Sequence, residues 1–209
     1  MKEKILMCPP DYFTDIDYAI NPWMKVGTSF NVDKAKEQWL VLRNKIKTLG
    51  SEIAEMNPQE GLPDLVFTAN AALVYENNAI ISRFRFEERQ YEEKFYAQWF
   101  TQSGFNVHAL PENISFEGAG DALFSGENLF AGYIPRTDIS SHTYISDLLG
   151  IRIISLELMD KRFYHLDTCF CPLTNGYLIY FPEAFDEYGN KIIENYFPYE
   201  KRIPVQDKE

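Results

Sequence analysis

The 209-residue sequence is short of cysteine, short of basic charge and free of long apolar runs, and each scarcity removes a class of protein. Three cysteines (Cys8, Cys169, Cys171) are too few for the disulfide framework of a small secreted scaffold, so a reducing cytoplasm is the expected setting. Lys plus Arg number 20 against 31 Asp plus Glu, a formal charge of −11, and no basic stretch is on offer to a phosphate backbone. A nucleic-acid partner is therefore excluded. No segment nears the roughly 18 apolar residues that cross a bilayer, which excludes a membrane partner, and the run from Ile5 to Cys8 that Pro9-Pro10 stops is too short for a signal sequence. With only 11 Gly and 11 Pro, the chain is neither collagen-like nor low-complexity. What is present is 45% apolar and 15% aromatic residues, enough for the core of one domain over residues 1–209.

Apolar spacing predicts three helices. Trp39, Leu42, Ile46 and Leu49 recur at helical intervals over 33–49, Tyr91, Phe95, Trp99 and Gln102 do so over 87–102, and polar capping residues open a third over 140–149. Gly50, Gly104 and Gly150 stand just past each, where a left-handed cap is wanted. Each glycine hands over to a strand candidate (51–56, 105–110, 151–156). Ahead of the second and third helices, two apolar runs flank a turn: 65–75 and 79–84, then 121–124 and 129–133. A further pair, 164–173 and 177–181, precedes a fourth helix over 185–197 and a strand over 201–205. The unit is strand, strand, helix, strand, and the capping glycines lie 54 and then 46 residues apart, a period of about 50. The expected class is α/β, with about four copies of the unit. A ring of such units buries its strands only when closed, so an exposed edge is expected, one that a homo-oligomer could cover.

Three segments carry polar residues that burial would penalise. Tyr164-His165-Leu166-Asp167-Thr168-Cys169-Phe170-Cys171 reads as a strand, on which His165, Asp167, Cys169 and Cys171 share a face. Those are zinc-ligand types, but neighbours two apart on one strand lie some 6–7 Å apart and converge poorly on an ion. No metal is expected. Cys169 and Cys171 read as small buried packing residues, while His165 with Asp167 makes a shared polar pocket. Phe116-Glu117-Gly118-Ala119-Gly120-Asp121 sets two carboxylates around a Gly-x-Gly turn, which either caps itself or brings Glu117 to a ligand or a histidine. Asp64 and Asn70 share parity in the apolar run Leu65-Val66-Phe67-Thr68-Ala69, where burial demands partners. Asn21-Pro22-Trp23-Met24 reads as a turn. Arg89 and Arg136 could hold a carboxylate or form surface ion pairs.

Taken together, Met7-Cys8-Pro9-Pro10-Asp11, Asn21-Pro22-Trp23-Met24, Pro63-Asp64-Leu65-Val66-Phe67-Thr68-Ala69-Asn70-Ala71, Phe116-Glu117-Gly118-Ala119-Gly120-Asp121-Ala122-Leu123 and the segment from Phe163 to Leu173 resemble the guanidine-modifying (pentein) superfamily of arginine deiminases, dimethylarginine dimethylaminohydrolases and amidinotransferases. The resemblance covers nearly the whole chain and is nearest to the arginine dihydrolases, which convert arginine to ornithine, ammonia and carbon dioxide. It implies a pseudosymmetric five-bladed α/β propeller with a central active site, no cofactor, and arginine or a related guanidino compound as the small-molecule substrate. By position, His165 resembles the general acid/base and Glu117 the carboxylate that orients it. Asn70 and Asp167 resemble the groups on the guanidinium, and Asp64, Arg89 and Arg136 those on the amino-acid end. Asn70, with Asn21, matches the dihydrolase pattern where deiminases carry aspartate, since an amide can hold a neutral ureido group by donating and accepting.

The family's nucleophilic cysteine comes from its last unit, and no residue here matches it. Cys169 and Cys171 belong to the strand of His165, on the wrong unit. The domain is therefore expected to be incomplete at its C-terminal end, with about four of five units present and no turnover by the chain alone. The alternatives are deiminase, dimethylarginine hydrolase or amidinotransferase chemistry, or a catalytically dead arginine-binding module.

Overall fold

The first strand of the chain, β1 (Lys4–Met7), pairs in parallel with β2 (Glu52–Glu55) across the helix α1 (Val32–Thr48), in a computed structural model that describes residues 4–207. Helix α1 begins where the Asn31 side chain accepts the Lys34 N–H at 2.9 Å, and it carries Asp33 in its first turn and Lys45 and Lys47 in its last, as the helix dipole favours. Past its end Gly50 adopts φ +100°.

Three three-stranded sheets follow with one shared connectivity. In the first, β3 (Ala72–Tyr75) is antiparallel to β4 (Asn78–Ile81), which is parallel to β5 (Asn106–His108). The next contains β6 (Ala122–Ser125), β7 (Asn128–Tyr133) and β8 (Ile153–Glu157), and the last β9 (Phe170–Pro172), β10 (Leu178–Tyr180) and β11 (Arg202–Pro204). The parallel crossovers are α2 (Glu87–Gln90) with α3 (Glu93–Gln102), then α4 (Ile139–Leu149), then α5 (Glu187–Tyr196). Strand, strand, helix, strand is thus realised three times, and the α/β class is as expected. The first two hairpins close through two residues, opposing Tyr75 to Asn78 and Ser125 to Asn128, with Glu76 and Gly126 at positive φ as such tight turns need.

The core explains why the central strands are apolar throughout. Along β4, Ala79 and Ile81 enter one cluster with Cys8, Met56, Phe84 and Tyr96, while Ile80 between them enters another with Leu129, Phe116 and Ile145. On β7, Leu129 and Ala131 join that second cluster and Phe130 joins a third, built with Leu156, Phe170, Leu178 and Phe185. Period-two alternation therefore shares each middle sheet between two cores, one on each face. The terminal sheets are covered on one face: α1 has no buried residue, and Leu42 and Leu49, expected on its buried stripe, are exposed while Trp39 and Ile46 are half-buried.

Several expected elements are corrected. Residues 87–102 form two helices, because Glu92 N–H bonds back to the Arg89 carbonyl at 2.9 Å in a tight turn that directs both side chains inward. Tyr91 then faces solvent, and Tyr96 and Phe100 take the buried positions. Residues 63–70 are not strand but two successive 3-10 turns (Pro63–Val66 and Thr68–Asn70), and 166–168 is a third, which gives their polar side chains room to converge.

Candidate active site

Three of the 3-10 turns have the same place in their units: Thr68–Asn70 before β3, Gly118–Gly120 before β6 and Leu166–Thr168 before β9. Each is closed by the same bond, from the N–H of Ala71, Asp121 or Cys169 to the carbonyl three residues back, and each of these is 3.1 Å long. The middle turn lies against the other two. A methyl group on Gly120 would stand 2.3 Å from Asn70 Nδ2 and 3.5 Å from the His165 ring, and one on Gly118 (φ +62°) would stand 2.8 Å from Ser82 Oγ. The Gly-x-Gly sequence is therefore a requirement for close approach, and it brings Glu117 to a histidine.

That histidine, His165, is 4% exposed. Its Nδ1 lies 3.2 Å from Asp121 Oδ2, and its Nε2 lies 3.4 Å from Glu117 Oε2 and 3.3 Å from Asn70 Nδ2. Burial alone pulls its pKa down, but the Asp121 carboxylate, through charge and hydrogen bond, and then Glu117 outweigh burial and raise it above the ordinary value. Asp121 is anchored in turn: its Oδ1 accepts the Leu166 N–H at 3.1 Å and its Oδ2 the Thr137 hydroxyl at 2.6 Å.

The chain of contacts runs outward on both sides of the imidazole. Glu117, fully buried, accepts from Arg136 Nη1 at 2.9 Å, and Arg136 Nη2 donates to the Ile20 carbonyl at 2.6 Å. The Arg136 guanidinium lies between the rings of Phe86 (4.7 Å) and Tyr164 (5.2 Å). On the other side, Asn70 Nδ2 donates to the Glu117 carbonyl at 3.2 Å and Asn70 Oδ1 accepts from Arg89 Nη1 at 3.1 Å. Arg89 is held by Glu92 through Nε (3.0 Å) and Nη2 (2.7 Å), reaches the Asp64 carbonyl at 3.3 Å and stacks on Phe84. The Asp64 carboxylate accepts the Tyr18 hydroxyl at 2.8 Å.

Six of the eight expected site residues, Asp64, Asn70, Arg89, Glu117, Arg136 and His165, are thus buried in one hydrogen-bonded network. Both arginines are buried ion pairs and not surface ones. The other two lie at its rim. Asn21 spends its side-chain oxygen on the N–H groups of Trp23 (2.9 Å) and Met24 (3.0 Å), next to the Ile20 carbonyl that Arg136 grips, so the expected turn is there. Asp167 is accessible to water yet crowded by protein, and its pKa is pushed up to about 6 by desolvation, with His165 lowering it and Asp121 raising it. It does not share a strand face with His165, because the turn at 166–168 rotates the two apart.

The cysteines also separate. Cys169 is buried in the core with Phe170, and burial raises its thiol pKa; Cys8 is fully buried and pushed up to about 12 by burial, then by Glu92 and Asp11. Cys171, expected to be buried, is exposed on β9 opposite Ile179. No thiol among the described residues bonds to the His165 ring or to its carboxylates: the Cys169 thiol reaches only the backbone carbonyls of Leu166 (3.6 Å) and His165 (4.0 Å). Among the described residues no group of three or more His, Cys, Asp or Glu is placed to hold a metal. Sequence reasoning missed Asp121, Glu92, Tyr18 and Thr137. Asp121 was visible as the second carboxylate of the Gly-x-Gly segment, four residues from Glu117; the others gave no signal, since their roles arise from contacts 16 to 46 residues away or within an unrecognised helix break.

The family model described as N,N dimethylarginine dimethylhydrolase, eukaryotic, matches residues 14–198. The bifunctional arginine dihydrolase/ornithine cyclodeaminase ArgZ of Synechocystis sp. is 50% identical over 207 residues, which is 98% of this chain and 29% of that protein. The N(G),N(G)-dimethylarginine dimethylaminohydrolase of Mycobacterium tuberculosis is 40% identical over 192 residues, 92% of this chain and 63% of that protein. A crystal structure of the N-terminal domain of cyanobacterial ArgZ, a cysteine-to-serine mutant bound to substrate, superposes with a TM-score of 0.94 at 50% identity, covering 98% of this chain and 76% of that one. The chain spans under a third of the length of the first of these relatives.

Proposed function

We propose, because this chain belongs to the N,N-dimethylarginine dimethylhydrolase family of the guanidine-modifying superfamily, that it forms the acid/base and guanidinium-binding part of an arginine dihydrolase. The observation that carries this reading is His165 held between Asp121 and Glu117 with the Asn70 amide at its Nε2. In this reading the sheets are blades of a five-bladed propeller in cytoplasmic protein, residues 1–209 supply about four blades, and the remainder of the site comes from polypeptide outside this sequence.

The chemistry assigned to these residues is stepwise. A cysteine thiolate from that remaining part adds to the guanidinium carbon, His165 passes its proton to the departing ammonia, and the neutral ring then takes a proton from the water that displaces the thiol. A second round on the ureido product gives ornithine, so that arginine and two waters yield ornithine, two ammonia and carbon dioxide. Glu117 and Asp121 supply the negative charge that keeps His165 protonated between rounds. Asp167, water-accessible beside the histidine, binds the cationic guanidinium, and Asp64, Arg89, Arg136 and Asn21 define the end of the site where the amino acid's own charges sit.

The Asn70 orientation supports the dihydrolase over the deiminase. Arg89 has only donors to offer, so it must face the amide oxygen, and the amide nitrogen must face His165. One Nδ2 hydrogen is spent on the Glu117 carbonyl, and the other, which faces His165, is released when Nε2 is protonated. It is then the donor for a ureido oxygen, an atom the guanidinium lacks, so that the site holds the first product for the second hydrolysis.

Incubating the full-length protein with arginine and measuring ornithine and ammonia tests the proposal. Ornithine with two equivalents of ammonia is the expected result; citrulline as the end product would assign a deiminase, a guanidino-acceptor product an amidinotransferase, and dimethylamine from methylated arginine a dimethylarginine hydrolase. A second reading, an arginine-binding module without turnover, is favoured by the absence of a thiol at the His165 ring among the described residues. Calorimetric binding of arginine with no product at all would select it.

A further inference from the structure

One buried carboxylate near the site has no part in the chemistry above. Glu92 is 1% exposed, in the tight turn between α2 and α3, and both of its oxygens are spent on Arg89. The single Tyr96 hydroxyl hydrogen is shared between the Leu65 carbonyl at 3.1 Å and the same carboxylate at 3.3 Å, so the acid is approached from α3 as well as by Arg89. The fork fixes the Arg89 plane, Phe84 packs on its face at 4.3 Å, and the Asp64 carbonyl takes a further Nη2 hydrogen. What remains of the guanidinium is Nη1, and it points at Asn70 Oδ1.

We propose that Glu92 is a positioning residue: by clamping Arg89 it holds the Asn70 amide with its nitrogen toward His165, and this sets which ring nitrogen of the neutral histidine carries the proton. At Nε2 the Asn70 N–H (3.3 Å), which requires the ring nitrogen to accept, competes with Glu117 Oε2 (3.4 Å), which favours a proton there; the amide together with Asp121 at Nδ1 (3.2 Å) tips the neutral ring to Nδ1–H. If the amide turned over, its oxygen would face Nε2 and favour the Nε2–H tautomer. The ring that must take a proton from water would then present the wrong nitrogen, and the ureido oxygen would meet an acceptor instead of a donor. The consequence for product release rests on the function proposed above; the consequence for the tautomer does not.

The test is the nitrogen-15 NMR spectrum of the His165 ring above its titration, in the full chain. In the unaltered protein the Nδ1–H form should dominate. Glu92→Gln offers one oxygen to the fork in place of two, and should lower the ratio of Nδ1–H to Nε2–H about tenfold, the worth of one well-placed hydrogen bond. Because a lone change leaves Arg89 buried and less compensated, the paired replacement Arg89→Met with Glu92→Leu, apolar and of similar volume, provides a second folded background and should move the ratio the same way. In the full-length enzyme, Glu92→Gln should release citrulline as a fraction of product several-fold above the unaltered protein, with a smaller change in KM for arginine. A native-like spectrum with an unchanged tautomer ratio in either variant would overturn the proposal. An altered ratio without any turnover would leave the proposal standing and defeat the dihydrolase reading instead.

Discussion

His165 and His142 are each 4% exposed, and burial has opposite outcomes at the two places. His142 sits on α4 with Nδ1 2.8 Å from Ser155 Oγ of β8, its ring edge-on to Tyr133, and its Nε2 buried with no hydrogen-bond partner among the described residues. Desolvation lowers its pKa to about 4, against smaller opposing effects of the Gly132 backbone and the Asp121 charge. His165 pays the same desolvation, but the two carboxylates that face it outweigh burial and raise its pKa. The difference teaches that burial alone makes a neutral packing histidine, and that an acid/base group needs carboxylates brought in by other segments. Here the close contact of three 3-10 turns brings them.

The comparison breaks most severely if Asp121 is removed. Asp121→Asn should lower the His165 pKa toward that of His142 and cost about 3–5 kcal/mol of stability, because a buried, multiply bonded charge pair is broken on one side only. Chemical denaturation with an NMR titration of the ring checks both parts.

The acid response should separate the two histidines next. For His142 the folded pKa lies below the ordinary value near 6.5, so the unfolded chain binds the proton more tightly. The stability this neutral histidine contributes is present above about pH 6.5 and lost as pH falls toward 4, by up to about 3 kcal/mol. His142→Gln should flatten stability over that window. His165 has the reverse sign: its raised pKa favours the fold fully below 6.5, and that contribution is lost as pH rises through its folded pKa. Measuring the denaturation midpoint across this pH range in the variant and the parent decides.

A steric version comes third. Gly120→Ala would place a methyl group against Asn70 Nδ2, and overpacking of this kind costs about 1–3 kcal/mol. It should also separate Asn70 from His165 while leaving His142 untouched, which ring chemical shifts would report. Smallest of all, Cys171→Ser on the exposed face of β9 should change stability by under about 0.5 kcal/mol and alter neither histidine.

Much of this arrangement was legible in the sequence, for reasons particular residues make plain. Gly50, Gly104 and Gly150 marked helix ends and so revealed the repeating unit, because each adopts a positive φ there. His165, Glu117, Asp64 and Asn70 stood out as polar residues in apolar surroundings and belong to the buried network. What could not be read was the backbone form. An apolar run with a polar residue every second place reads as a strand, and 63–70 and 166–168 are instead turns stabilised by contacts with other units. The break between α2 and α3 carries neither Gly nor Pro, and the Arg89–Glu92 ion pair that accompanies it, although local at i, i+3, is buried by partners such as Asn70 and Asp64 from another segment. Asp121 lay in a segment already singled out, but nothing local distinguishes a carboxylate that caps its own turn from one that grips a histidine 44 residues away.

The account stands or falls on the charge state of His165, and a single NMR titration of the three histidine rings reads it directly. The expected result is a His165 midpoint above 6.5, falling on Asp121→Asn, with His142 titrating near 4 in both proteins. A His165 ring that titrates at or below 6.5 and ignores the loss of Asp121 would contradict it.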